Sequence, residues 1–142
     1  MWPRSSPPSS IATLRGTKMA TLIDYTQIAI PDDPAKLGLT YIAGPMTLVG
    51  PPTWNYPAFD DMANRLRAVG IPVVSPHELH PASEGTPWDW YLRRDLTQLV
   101  KCSRIVMLND WHLSRGARLE HEVATRLELD VYYPHDYAKL GI

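Results

Sequence analysis

Asp95 and Glu120 are the residues of this 142-residue chain whose type and spacing point most directly to chemistry. Asp95 falls three residues after Leu92 and one before Leu96, inside the apolar series Leu92, Leu96, Leu99 that repeats with a helical period. Glu120 falls three after Ala117 and four before Ala124, in the series Ala117, Ala124, Leu127. Both carboxylates are therefore expected on the core-facing sides of their helices. Burying an unpaired carboxylate is costly, so a chain keeps one there mainly with partners or for function. Glu120 also lies about one turn into its helix, where the dipole favours the anion by roughly 0.3–1 kcal/mol. The plainer alternative is that each acid sits at the edge of its stripe and pairs with Arg93, Arg94 or Arg118. Periodicity alone leaves the two open.

Other chemistries have weaker support. His77-Glu78-Leu79-His80 places two imidazoles three apart, but the pattern is not HExxH and falls in an expected loop, so no metal site is expected. His112 and His121 flank the candidate site, and His121 should point away around its helix. Cys102 is the single cysteine, which excludes an internal disulfide, favours a cytoplasmic setting and suits a small core residue. Trp88, Trp90 and Trp111 could stack on an aromatic ligand, with Trp111 the best placed. No P-loop or GxGxxG is present, and no cofactor is expected. A net charge of −1 gives no general grip on nucleic acid polymers or anionic lipid, and no apolar run reaches the length of a membrane span. The expected partner is a small molecule.

The elements that must position these residues follow from periodicity and breakers. Residues 1–18, rich in Ser, Pro and basic residues without an acid, read as a disordered leader rather than a secretory signal, with a transit-like peptide as the alternative. Residues 19–38 read as an N-terminal arm, with 25–30 as either an edge strand or an extended segment. The main domain spans 39–142. Its strands are expected at 39–43 (LTYIA), 71–75 (IPVVS), 104–108 (RIVML) and 130–133 (DVYY). A helix from Pro57 should pack through Phe59, Met62, Ala63, Leu66 and Val69 and end at Gly70. Residues 77–85 read as a polar loop. A second helix, capped by Thr86 with Pro87 first, should run to about Lys101, and a third from about Arg115 to Leu127. Strands alternating with helices predict an α/β, flavodoxin-like or Rossmann-like parallel sheet of four to five strands with helices on both faces. Ligands bind such sheets outside the carboxyl ends of the strands, here residues 44–47, 75–78 and 109–114.

Three segments together carry a family resemblance. They are Tyr41-Ile42-Ala43-Gly44-Pro45, Arg94-Asp95-Leu96, and the spacing Ser114-x-Gly116-x-x-x-Glu120-x-x-x-Ala124. With them, residues 39 to 133 resemble the nucleoside 2-deoxyribosyltransferase superfamily, which includes 2′-deoxynucleoside 5′-monophosphate N-glycosidases. Asn55-Tyr56-Pro57-Ala58-Phe59 and Trp111 look most like its small phage- and bacteria-borne branch. The resemblance implies cleavage of an N-glycosidic bond through a covalent glycosyl-enzyme, resolved by water or by another base. It implies Glu120 as the nucleophile and Asp95 as the group that orients it or manages a proton. Ser114 and Gly116 would line the 5′ side of the sugar, and Tyr41, Gly44, Pro45 and Met46 the floor and lip of the base pocket; Asn55 and Trp111 are further substrate-binding candidates.

The substrate expected from it is a nucleoside or its monophosphate. Monophosphate-specific members carry a basic glycine-rich loop after the first strand, whereas residues 46–52 here contain no basic residue. Arg115 or Arg118 would have to supply that charge. Cys102-Ser103 also replaces a common Ala-Asp, removing one acid. A homodimer or higher homo-oligomer is implied, with Tyr132, Tyr133 and Tyr137 or the 25–30 arm at the interface. The alternatives are a non-catalytic nucleotide-binding module and a hydrolase of another N-glycoside such as NAD.

Overall fold

The computed structural model describes residues 24–79 and 85–142. The leader assigned to residues 1–18, and His80, lie outside the described residues. Four strands form one all-parallel sheet in the order β2-β1-β3-β4, with β1 at Thr40–Ala43, β2 at Val73–Val74, β3 at Arg104–Met107 and β4 at Asp130–Tyr132. Three long helices connect them: α1 (Tyr56–Ala68), α2 (Trp88–Leu99) and α3 (Arg115–Arg126). The result is a flavodoxin-like or Rossmann-like α/β fold.

Alternation along the strands sorts the core into two halves. Tyr41, Ala43, Ile105 and Met107 pack with Leu99, Ala117 and Ala124, on the face covered by α2 and α3. Ile42 and Val106 point the other way, onto Phe59, Met62, Ala63 and Leu66 of α1, where Tyr137, Leu140 and Ile142 also pack. From β1 the chain passes through α1 to β2 on one side, then returns through α2 to β3 on the other. The strand order therefore reverses between β1 and β3, and their carboxyl ends border a crevice there.

Several expected details are corrected. Residues 25–30 do not form an edge strand. Tyr25–Gln27 is a 3-10 turn, because the Asp24 carboxylate accepts from the Thr26 amide at 2.9 Å and the Thr26 hydroxyl at 2.6 Å, bending the backbone away from any ladder. The polar loop from 77 begins as a one-turn helix, Pro76–Leu79. Helix α2 starts at Trp88 with Pro87 in the N-cap position, since Pro87 is extended (ψ 146°), so Thr86 is not its cap. Val69 and Leu127 are exposed at 47% and 51% although the periodicity placed both in the core. Each follows the last helical residue, where the chain is already leaving the sheet. Gly70 (φ 83°) turns the chain after α1 as its type suggests. After α3, Glu128 (φ 61°) makes the comparable turn and Leu129 takes the packing place that Leu127 was expected to fill.

Candidate active site

At the carboxyl ends of β1 and β3 lies a cavity of about 700 Å³, within the size range of small-molecule sites. Glu120 and Asp95 both line it. Glu120 is the one carboxylate of α3 that faces inward, 5% exposed between the buried Ala117 and Ala124. Ser114 sets the helix that carries it. The Ser114 hydroxyl accepts from the Ala117 amide at 3.2 Å, an N-cap that fixes where α3 begins and hence which residue reaches the pocket a turn later.

The Tyr41 hydroxyl donates to Glu120 Oε2 across the core. Tyr41 is fully buried on β1, so it stands behind Glu120 and does not line the cavity. From α2, Arg94 donates to Asp95 Oδ1 through Nη2 at 2.7 Å and Nε at 3.1 Å, and through Nη2 to the Pro76 carbonyl at 3.1 Å. Burial pushes the Asp95 carboxyl up to about 6, against the opposing pull of Arg94. Glu120 is raised well above the usual carboxylate range, first by burial and then by the neighbouring Asp95 charge, while the Tyr41 hydroxyl and Arg94 oppose the shift. Burial and the Glu120 charge likewise push the Tyr41 phenol up, so it stays a proton donor. Two coupled acids near one cationic partner cannot readily both ionise, so the pair keeps a proton to higher pH than exposed carboxylates would.

The remaining expected site residues divide. Gly44, Met46, Ser114 and Gly116 line the cavity. Gly44 has a steric reason to be glycine, since a Cβ there would lie 2.8 Å from Leu108 Cβ. Pro45 and Asn55 do not line it. The Asn55 side-chain amide donates to the Pro45 carbonyl at 2.9 Å, tying the loop after β1 to the start of α1. Trp111 is corrected outright. It packs against His121 (ring centroids 4.4 Å apart) and Tyr133 (5.9 Å), away from the cavity. His121 does point away from Glu120, and its Nε2 pairs with the Tyr133 hydroxyl at 2.8 Å.

The aromatic walls of the cavity are instead Trp54, Tyr56, Phe59, Tyr91 and Trp88. Of these, only Trp88 is a stacking candidate from the sequence. Trp54 (φ 51°) and Asn55 (φ 61°) are consecutive left-handed residues, a strained conformation found preferentially at functional sites. The Arg115 guanidinium lies 3.9 Å from the Trp88 ring centroid, beside the cavity. Arg118 is engaged elsewhere, donating to the His112 carbonyl at 3.0 Å. Cys102 is buried, its thiol pushed up to about 12 by desolvation, which suits a core residue and not a nucleophile. Among the described residues no group of His, Cys, Asp and Glu is arranged to hold a metal ion, and no helix is long and apolar enough to cross a membrane.

An all-parallel α/β domain with a carboxylate pair at its topological switch point is thus the class of protein that the fold and cavity define. Residues 39–133 match the family described as a domain of unknown function, DUF4406, and the chain belongs to that family. No curated protein and no solved structure matches it.

Proposed function

We propose that this protein cleaves the N-glycosidic bond of a 2′-deoxynucleoside or its 5′-monophosphate, as its likeness to the nucleoside 2-deoxyribosyltransferases implies. The observation that carries the reading is Glu120, a buried carboxylate at a cavity wall that accepts a hydrogen bond from Tyr41 beside the Arg94–Asp95 pair. In the proposed step the C1′–N bond breaks, its electron pair goes to the leaving base, and the proton held by the carboxyl pair passes to that base. Glu120, now anionic, bonds C1′ and forms a glycosyl ester. Water or a second base then attacks C1′ and frees Glu120, with Asp95 positioned to take the water proton. Trp54, Tyr56, Tyr91 and Trp88 supply flat apolar faces suited to a base.

Incubation with deoxynucleosides, their monophosphates and NAD, followed by detection of free base, tests this directly. Glu120→Gln keeps the shape of the side chain and should remove base release by at least roughly a thousandfold. Wild type should gain the mass of one deoxyribosyl group on Glu120 when turnover is quenched. Base release that survives Glu120→Gln would refute the assignment. Base exchange on adding a free purine or pyrimidine would identify a transferase, and ligand binding without base release would favour a binding module.

A further inference from the structure

His77 has no role in the chemistry above, yet its side chain is only 5% exposed and its surroundings are built to hold it. Its ring nitrogens are both engaged: Nε2 lies 2.5 Å from Asp60 Oδ1 on α1, and Nδ1 lies 2.6 Å from the Ser75 hydroxyl at the end of β2. A carboxylate only accepts, so Nε2 donates to Asp60, while Nδ1 pairs with the Ser75 hydroxyl. The imidazole also packs against Tyr56 and Phe59, with ring centroids 5.5 and 5.7 Å away, and both of those side chains line the cavity. Between Ser75 and His77 stands Pro76, whose carbonyl receives the Arg94 guanidinium. A continuous chain of contacts thus runs from Asp60 through His77 and Pro76 to Arg94 and Asp95.

We propose that His77 is a positioning residue for the carboxylate pair, clamping the Ser75–Pro76–His77 corner to α1 so that the Pro76 carbonyl holds Arg94 against Asp95. A one-turn helix after a two-residue edge strand has little secondary structure to fix it. The imidazole supplies what the backbone lacks: a directional bond to Asp60 of α1, a second within the corner to Ser75, and ring packing on Tyr56 and Phe59 of α1. The charged groups around the chain are Asp60 on His77, the adjacent Arg67–Glu78 pair at 2.6 Å, and Arg94, Glu120 and Tyr41 around Asp95. Without the clamp, the Pro76 carbonyl shifts, Arg94 loses an anchor and Asp95 ionises less readily.

The test uses the full chain with isotope-labelled Asp carboxyl carbons and follows the Asp95 titration by NMR. His77→Phe keeps an aromatic ring against Tyr56 and Phe59 but removes both hydrogen bonds. It should move the Asp95 midpoint upward by roughly half a pH unit or more. Asp60→Asn, at an exposed partner, should move it in the same direction by less, and serves alone if His77→Phe does not fold. Arg67→Met removes the neighbouring ion pair without touching the clamp and should leave the midpoint in place. An unchanged Asp95 midpoint in folded His77→Phe or Asp60→Asn, whatever the loss in melting temperature, would overturn the proposal. This readout does not require turnover. Absence of base release in wild type would refute the glycosidase reading and leave the titration result to judge His77. Where base is released, the acid limb of kcat/KM should follow the same shift.

Discussion

Replacing Asp95 by Asn should make the folded protein more stable above neutral pH and change little at pH 4. Burial raises the Asp95 carboxyl from 3.8 to about 6, so between those values the native chain holds a proton that the unfolded chain has already released. Raising the pH through this window therefore costs the folded state, and the loss is complete above it. A shift of about two units at ~1.4 kcal/mol each corresponds to roughly 3 kcal/mol. The side chain is only 13% exposed, so solvent screening takes little from that figure. At pH 4 folded Asp95 is largely protonated and resembles the amide, while the unfolded carboxyl is only about half ionised, so the two proteins should differ by no more than about 0.5 kcal/mol. By pH 8 the variant should be ahead by about 3 kcal/mol. Glu120 acts in the same direction, because losing the Asp95 charge removes the second cause of its own raised value. Urea denaturation followed by tryptophan fluorescence from pH 4 to 8 measures the difference directly, and titrations common to both proteins cancel. Parallel stability curves, or a variant less stable at pH 8, would refute the burial of an acid at this position.

Other expectations follow from single contacts. Tyr41→Phe preserves the buried ring but removes the hydroxyl that donates to Glu120; it should cut kcat for base release by roughly ten- to a hundredfold, with circular dichroism checking that the fold is kept. Arg115→Met should raise KM for monophosphates about tenfold more than for the parent nucleosides, because Arg115 lies over Trp88 at the cavity. Arg118→Met should not discriminate between them, since Arg118 is held by the His112 carbonyl; equal KM changes for both substrate types in Arg115→Met would exclude a phosphate role. Gly44→Ala forces a Cβ within 2.8 Å of Leu108 and should destabilise by about 1–3 kcal/mol. Gly116→Ala meets only Trp88 Cζ2 at 3.7 Å and should fold as well as wild type in thermal melts.

The sequence alone determined the alternating elements, and with them the parallel sheet and the ends of its strands, because apolar periods of two and about 3.6 residues leave few other arrangements. It also singled out Asp95 and Glu120, since a carboxylate inside an apolar stripe is visible without coordinates. What tertiary structure decided is whom those side chains meet. Tyr41 is 79 residues from Glu120, and nothing local says that its hydroxyl ends on that carboxylate. Arg94, one of three arginines weighed as partners for the acids, proved to be the one that holds Asp95. Trp111 and Trp88 look alike as loop or helix-start aromatics, yet one packs outward on His121 and the other lines the cavity, because the direction in which an aromatic leaves its backbone depends on how neighbouring helices seat. The His77 clamp likewise ties the corner after β2 to Asp60 of α1, 17 residues from His77, and through Pro76 to Arg94 of α2, 18 residues from Pro76. Short-range pattern fixes which residues face inward, and only packing between elements fixes which inward-facing residues share a site.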